Sequence, residues 1–411
     1  MIPYRALWAF VLLAASFDAW SDTVSTWMDV AQYARERTVR TPENSRASAQ
    51  VSLAMFEVSN SFHKEFRSLL EPADASGVDE EIAINQAARI SLKLLYPQLS
   101  DHFDSTYAVQ TEKKALLLDG GARRSEEFGR IVAEQVLALG AIPKSDTGSV
   151  YKPFTSPGKY VDPGLPLILP WDLQAPPFAL DSVDQFRPDP PAPLDSEQYG
   201  RDVEEVRLLG GKVSTARTPA QTLLARTYRY IDYYSILRRT AAEPGRTLLQ
   251  NSRMYALALL AVDESWLATM DAKMHYSFWR PITAIRNADG DGNDLTKVDE
   301  HWVPLLDTPS HPEYPCCHCA IASAFATVMR HETRENPLGG IKIQGVLASN
   351  MSPGALNPGI TETLVTWTEF VQRASDSRIW AGAHFRFSNE AANKLGSDVS
   401  TQILSKFERL D

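Results

Sequence analysis

Helical periodicity is the feature that most restricts the fold of this chain. Apolar residues recur every three or four positions over most of the 411 residues, whereas the strict alternation typical of half-buried strands is scarce. The pattern predicts helices near residues 47–71, 79–97, 123–139, 219–241, 251–275, 319–334, 359–375 and 388–408. One start is well marked, because Thr218 can cap a helix whose first position is Pro219, where a missing N–H costs nothing. We therefore expect an all-α fold.

The charge of the chain restricts its partners. Lys and Arg total 41 against 51 for Asp and Glu, so the net charge is −10. This balance argues against broad binding of nucleic acid or of an anionic membrane. After the N-terminal region no stretch approaches 18 uninterrupted apolar residues, so we expect no transmembrane segment in the mature chain. Any bound anion would need a local cluster of cations.

The N-terminus has the features of an export signal. Arg5 gives it a basic start, and the apolar run of residues 6–15 that follows is short for a membrane span. Ala19 and Ser21 are small residues at the −3 and −1 positions of a cleavage site. We predict a signal peptide over residues 1–21 and an exported protein, periplasmic or secreted. A retained amphipathic anchor is the alternative.

A proline-rich segment divides the remaining chain. Residues 151–198 hold eleven prolines and cannot form regular helix. The sequence thus predicts an N-terminal helical bundle at residues 22–150, a Pro-rich connection at 151–198 and a C-terminal helical bundle at 199–411. Interleaved aromatic residues suggest that the connection packs across the helices, with a mobile linker as the alternative; these are Tyr160, Trp171, Phe178 and Phe186.

Three clusters in the C-terminal half carry candidate chemistry. In the first, Lys273 and Arg280 stand seven residues apart, about two helical turns, and share a face if the helix persists. Two cations on one face favour an anion, although a solvated basic face is the simpler alternative. In the second, His318 lies at a predicted helix N-terminus, beside free N–H groups and the positive end of the dipole. It is a candidate proton donor, or else a core histidine bonded to a carbonyl.

The third cluster contains Arg378 and His384. Six residues separate them, which leaves them about 120° apart on a straight helix. Both can face one site only if the chain bends or leaves the helix, most simply near Gly382.

Together the clusters resemble a known signature. Lys-x6-Arg-Pro, Pro-x-x-His and Ser-Arg-x5-His, in that order, resemble the vanadium-dependent haloperoxidase and type 2 phosphatidic acid phosphatase superfamily, in particular its soluble haloperoxidase-like branch. The resemblance covers roughly residues 200–410. It implies two helical bundles, with a site for vanadate or phosphate in the C-terminal bundle.

The resemblance also implies a role for each residue. Lys273, Arg280 and Arg378 would neutralise the oxygens of the oxyanion, which three cations are suited to do. His384 would bind vanadium, or attack phosphorus in a phosphatase. His318 would be the acid–base group.

Two blocks depart from the family pattern. The second block usually reads Pro-Ser-Gly-His, but Cys316 and Cys317 stand in the Ser and Gly places. We keep both as oxyanion-binding positions, because the backbone N–H of Cys317 can still donate. In the third block Ser388 occupies the place where an Asp commonly orients the histidine ring, so carboxylate support for His384 must come from elsewhere.

The resemblance also places a halide pocket. His311 lies seven residues before His318, at a position that is histidine in bromoperoxidase-like members, which favours bromide or iodide over chloride. Trp279 is a candidate wall of this pocket. The alternatives are a loop histidine without a catalytic role and an ordinary core tryptophan.

The function expected from the resemblance is a vanadate-dependent haloperoxidase that oxidises halide with hydrogen peroxide. Its cofactor would be vanadate, with phosphate able to occupy the same site, and no nucleotide, haem or flavin is expected. The alternative is a soluble exported acid phosphatase that acts on a phosphate ester through a phosphohistidine. A third hypothesis is a catalytically impaired helical binding protein. A homodimer is left open.

Two motifs point to other classes of site. Cys316 to Cys319 formally make the Cys-x-x-Cys of a thiol oxidoreductase, but such motifs follow a strand, and strands are scarce here. A disulfide between the two cysteines is left open. Four residues match a calcium loop whose turn glycine is replaced by Asp294, so a polar turn is favoured; they are Asp289, Asp291, Asn293 and Glu300.

Overall fold

A computed structural model describes residues 22–38, 43–71, 74–115, 121–142, 156–161, 175–337, 339–344 and 361–410. Its described residues are mainly helical, so the all-α prediction is confirmed. The predicted signal peptide and much of the Pro-rich connection lie outside the described residues. Among the helices that are described, none combines the length and apolar character needed to cross a membrane.

Contacts divide the chain into two compact units, each built from three stretches. Unit 1 comprises Met1–Arg40, Gln50–Leu137 and Tyr234–Ala256, and unit 2 comprises Thr41–Ala49, Ala138–Tyr233 and Leu257–Asp411. The predicted sequential boundaries at residues 150 and 198 stay a prediction.

Unit 1 is helical. The helices that lie wholly or largely within it are α1 (Thr23–Arg37), α2 (Glu43–His63), α3 (Glu80–Leu95), α4 (Ser100–Ala115), α5 (Gly121–Leu139) and α8 (Tyr233–Ala241). Helix α3 begins at a side-chain cap, because the Asp79 carboxylate accepts from the Ile82 N–H at 3.0 Å. Helix α5 packs closely on α3, since a Cβ on Gly129 would lie 2.2 Å from the Ala83 carbonyl oxygen.

Unit 2 carries the three predicted site clusters. Its helices are α6 (Glu197–Leu209), α7 (Pro219–Thr227), α10 (Pro281–Arg286), α11 (Cys317–Glu332), α12 (Trp367–Trp380) and α13 (Arg386–Lys406), together with the later part of α9 (Leu248–Tyr276). Helix α11 packs against both α12 and α13. At its contact with α13 the backbones nearly touch, because a Cβ on Gly396 would lie 2.0 Å from the Ala320 carbonyl oxygen. The Ser400 hydroxyl bridges the same pair by donating to the Ala324 carbonyl at 2.9 Å.

Several predicted helices need correction. The helix predicted at 219–241 is two helices, α7 and α8, although its capped start at Thr218 is confirmed by a capping box with Gln221. The helix predicted at 359–375 is wrong at its start, where Thr361–Leu364 forms strand β2, antiparallel to strand β1 (Ile341–Gln344). Threonine at alternate positions of that segment favours the strand. Helices α1, α4, α6 and α10 were not predicted.

The described parts of the Pro-rich connection are held by hydrogen bonds. The Tyr160 N–H donates to the Ser277 carbonyl at 2.8 Å, and the Tyr160 side chain is fully buried. Further along, the Glu264 carboxylate accepts from the backbone N–H groups of Phe178, Ala179 and Leu180. These described residues are therefore anchored at a buried carboxylate and at the end of helix α9.

Candidate active site

Lys273 and Arg280 lie on either side of a break between two helices. Helix α9 ends at Tyr276, and Ser277 adopts a positive φ of 46°. Arg280 then forms the N-cap of α10 in an extended conformation, with Pro281 at the first helical position. The condition for a shared helical face, an unbroken helix from Lys273 to Arg280, is therefore not met. The break itself brings them to one site.

Lys273 is fully buried and bonded to backbone oxygens. Its Nζ donates to the carbonyls of Pro312 at 2.9 Å and Glu313 at 2.7 Å. Burial, aided by the positive charge of Arg280, lowers the pKa of Lys273 to about 7. The two carbonyls therefore hold the ammonium in place, but they do not offset the cost of burying its positive charge.

The buried guanidinium of Arg280, in the first cluster, contacts residues of the second and third clusters. Its Nε donates to the His311 carbonyl at 2.9 Å and its Nη1 donates to the Ala383 carbonyl at 3.0 Å. Because a guanidinium can only donate, its contacts with two imidazole nitrogens are donations too. These run from Nη1 to His384 Nε2 at 3.1 Å and from Nη2 to His311 Nδ1 at 3.0 Å. Burial lowers the pKa of Arg280 to about 10.

His384 lies in the turn between α12 and α13, where the sequence predicts a bend. Helix α12 ends at Trp380, and Gly382 follows with a φ of +73°. A Cβ at Gly382 would lie 2.4 Å from the Gly210 carbonyl oxygen, so the position needs glycine both for its backbone angle and for space. The predicted departure from helix near Gly382 is confirmed.

A carboxylate that the sequence did not identify supports His384. Glu313 Oε1 lies 2.7 Å from Nδ1 of His384 and also accepts from the Phe385 N–H at 3.1 Å. Glu313 is fully buried, and burial raises its pKa to about 7, against the lowering effect of Lys273 and Arg280. Two features of the sequence could have identified Glu313: position 388 lacks the Asp that commonly orients the histidine, and Glu313 is an acidic residue within the second cluster.

His318 occupies the first turn of α11, as predicted. Its Nε2 lies 2.9 Å from the Arg229 carbonyl, and since a carbonyl only accepts, Nε2 carries the proton and Nδ1 has the lone pair. Burial lowers the pKa of His318 to about 3, with the charge of Arg378 adding to the effect. The ring is therefore neutral near pH 7. This contact matches the carbonyl-bonded histidine that was the alternative to the proton donor, and the role of proton donor stays a prediction.

Arg378 differs from the other two cations in how few hydrogen bonds its guanidinium makes to the described residues. It is buried, and its Nε and Nη1 have no hydrogen-bond partner among the described residues. Burial, together with the positive charges of Arg280 and Arg229, lowers the pKa of Arg378 to about 10. Buried guanidinium N–H groups without acceptors are costly, which is the condition that a bound oxyanion would relieve.

The three cysteines cluster at the start of α11. Cys316 forms a disulfide with Cys319, and its sulfur accepts from the Cys319 N–H as the helix cap. Cys316 therefore has no thiol hydrogen to donate, and any contribution to oxyanion binding must come from its backbone. Cys317 is free and buried, and burial raises its pKa to about 11, so it is a neutral thiol. The oxyanion roles of Cys316 and Cys317 stay predictions.

The two predicted halide-pocket residues have different surroundings. His311 is buried and contacts Arg280 through both its carbonyl and its Nδ1, so it belongs to the polar site. Trp279 belongs to a buried hydrophobic cluster that also holds Phe278 and Phe385. Their role towards halide stays a prediction.

The calcium-loop residue Asp291 accepts from the Asn293 N–H in a turn. The described residues contain no group of three or more His, Cys, Asp or Glu side chains that could hold a metal ion.

The C-terminal part of the chain matches a family model. A model described as "VCPO second helical-bundle domain" matches residues 253–410, which contain all three site clusters. Residues 253–410 are therefore similar to that helical-bundle domain. The resemblance inferred from the sequence is therefore confirmed.

Known proteins that are similar to the chain over more of its length include vanadium haloperoxidases. The vanadium chloroperoxidase of Curvularia inaequalis is 24% identical over an alignment of 394 positions that covers 74% of this chain. The chain spans 63% of the length of that relative. A bacterial vanadium-dependent iodoperoxidase structure has a TM-score of 0.75 at 19% identity, covering 95% of this chain and 97% of its own. An apo bacterial vanadium-dependent chloroperoxidase structure has a TM-score of 0.69 at 18% identity, covering 90% and 94%. At these identities the two structures show that the fold is shared.

Proposed function

We propose that this protein is a vanadate-dependent haloperoxidase that oxidises halide with hydrogen peroxide. The observation that carries the proposal is the guanidinium of Arg378, which is buried beside Arg280 and His384 and whose Nε and Nη1 have no partner among the described residues. A buried cation without acceptors is suited to an anion supplied from outside the chain. Vanadium is the metal named for the relatives, and the donor set here matches an oxyanion of that metal.

The residues present fit vanadate on electrostatic grounds. Lys273, Arg280 and Arg378 together would neutralise its oxygens, and the imidazole of His384 would supply a nitrogen ligand. When bound, vanadate supplies a Lewis-acidic centre that activates hydrogen peroxide towards halide. The chain supplies the binding charge, the orientation of the ligand nitrogen and a water-poor surround, since all four side chains are buried.

His318 is proposed as the group that exchanges a proton with peroxide. Its Nε2–H donates to the Arg229 carbonyl, so Nδ1 is the nitrogen that can accept a proton. The low pKa, about 3, keeps the ring unprotonated at neutral pH but makes it a weak base, and the negative charge of a bound oxyanion would raise that pKa. The positive charges of Arg378, Arg280 and Lys273 disfavour a protonated ring, so the ring would release an accepted proton readily.

We further propose bromide or iodide as the preferred halide. Support comes from the buried loop residue His311, whose Nδ1 contacts Arg280, one of the proposed oxyanion-binding cations. The relatives include both chloroperoxidases and an iodoperoxidase, so their names support no single halide.

Reconstitution tests the proposal. The purified protein would be freed of phosphate, treated with orthovanadate, and assayed with peroxide and each halide beside a phosphate-ester assay without vanadate. Halogenation only after vanadate addition supports the proposal, as does its loss in Arg378→Met. Ester hydrolysis without vanadate would identify a phosphatase, and oxyanion binding with neither activity would identify a binding protein.

Export remains part of the proposal. Cleavage after Ser21 predicts a mature N-terminus at Asp22, which N-terminal sequencing of the expressed protein can check. A homodimer stays a prediction that light scattering can test.

A further inference from the structure

We propose that Glu313 is a positioning residue that fixes the tautomer of His384 and makes Nε2 its ligating nitrogen. The proposal rests on the proposed function for the identity of the oxyanion. Glu313, in the second cluster, would supply the carboxylate that supports the His384 ring, because Ser388 in the third cluster has no carboxylate.

The first observation is the pattern of bonds at Glu313 Oε1. This oxygen accepts from the Phe385 N–H at 3.1 Å and lies 2.7 Å from His384 Nδ1. The oxygens of an ionised carboxylate only accept, so with Glu313 ionised the contact is made by a proton on Nδ1. The lone pair of the neutral imidazole is then on Nε2.

The second observation comes from the opposite side of the ring. His384 Nε2 lies 3.1 Å from Nη1 of Arg280, and a guanidinium cannot accept a hydrogen bond. Nε2 must therefore be the acceptor. Two independent contacts assign the same tautomer, and Nε2 is also the nitrogen that faces a cation of the oxyanion site.

The third observation is that Glu313 is itself held firmly. Its N–H donates to the Phe278 carbonyl at 2.9 Å, and its carbonyl accepts from Lys273 Nζ at 2.7 Å. One residue thus orients His384 through its side chain and Lys273 through its backbone. The full burial of Glu313 excludes water as a competing partner for the imidazole.

This arrangement predicts that vanadate and phosphate respond differently to loss of the carboxylate. Phosphate is held by the cations, and removing a nearby negative charge leaves that attraction unchanged or stronger. Vanadate also needs the Nε2 lone pair of His384, whose basicity the carboxylate raises. In Glu313→Gln we expect vanadate affinity to fall about tenfold or more relative to phosphate affinity.

The experiment is calorimetry of the full chain with orthovanadate and with inorganic phosphate, in separate titrations. Glu264→Gln is the matched control, because Glu264 is likewise fully buried, accepts backbone N–H groups and has its pKa raised to about 7. It should leave the vanadate-to-phosphate ratio unchanged. Adding Ser388→Asp to Glu313→Gln should restore part of the ratio, because the side chain of residue 388 lies near the Glu313 carboxyl.

A spectroscopic readout keeps the proposal testable without any oxyanion. In protein with 15N-labelled histidine, His384 should show protonated Nδ1 and unprotonated Nε2 in the parent, a preference that weakens in Glu313→Gln. If Glu313→Gln fails to fold, Glu313→Asp tests the same point with the charge kept and the reach shortened.

Two results would overturn the proposal: protonated Nε2 in the parent, or an unchanged vanadate-to-phosphate ratio in folded Glu313→Gln. If the parent binds neither oxyanion, the proposed function fails, while the tautomer measurement still decides the role of Glu313.

Discussion

Replacing Arg378 with methionine should have opposite effects on stability and on oxyanion binding. In the folded protein the pKa of Arg378 is lowered from 12.5 to about 10. Each tenfold change in a protonation equilibrium is about 1.4 kcal/mol, so carrying this charge in the fold costs about 3 kcal/mol. Because the folded pKa lies well above neutral, the group stays charged at pH 7 and the whole cost is present there.

Methionine removes the charge while its flexible side chain fills most of the space. We expect the free energy of unfolding of the anion-free protein to rise by up to about 3 kcal/mol, less whatever packing is lost. Phosphate binding should weaken at the same time, because charge-assisted hydrogen bonds contribute about 1.5–3 kcal/mol each, roughly tenfold to a hundredfold in affinity.

Urea unfolding with and without phosphate measures both effects. Arg207→Met is the matched control, because Arg207 is partly exposed and paired with Glu204 in the same unit. That variant should lose at most about 1 kcal/mol and bind phosphate like the parent. A clear loss of stability in anion-free Arg378→Met, with phosphate affinity retained, would refute the oxyanion role of this residue.

Three further predictions concern the same site. Sulfate affinity should fall as the pH rises through about 7, because the pKa of Lys273 is lowered to about 7 and the ammonium loses its charge above that value. Calorimetry at about pH 6 and pH 9 measures this change, and an equal affinity at the two values would contradict the prediction. Gly382→Ala should destabilise the protein by about 1–3 kcal/mol and weaken phosphate binding, measured by urea unfolding and calorimetry, since its φ is +73° and its space is filled. Thiol titration of the denatured protein should find one free thiol before reduction, Cys317, and three afterwards; three before reduction would disprove the Cys316–Cys319 disulfide.

Residue spacing was a good guide where the site follows local backbone rules. The capped start at Thr218 and the bend at Gly382 depend on a few neighbouring residues, and the structure confirms both. Spacing left the arrangement of Lys273 and Arg280 open, because a seven-residue interval fits an unbroken helix as well as the break at Ser277. A proline four residues after the break marks a new helix start, but it does not locate the end of the old one.

The partner of His384 could not be found from local spacing. Glu313 and His384 are 71 residues apart, and only the packing of a loop against the turn after α12 brings them together. The sequence did show that support for the ring was missing at Ser388. Which of many acidic residues supplies it depends on long-range contacts, which periodicity does not encode.

The balance of charge in the site connects these observations. Lys273, Arg280 and Arg378 contribute three positive charges, and Glu313 contributes one negative charge, which leaves 3 − 1 = 2 positive charges buried together. Burial is the main reason that the pKa of Lys273 is lowered to about 7, and the positive charge of Arg280 adds to the effect. A dianionic oxyanion would cancel the excess and return that lysine to its charged form. Glu313 is therefore compatible with anion binding because it leaves the excess at two, and an additional carboxylate would reduce it to one.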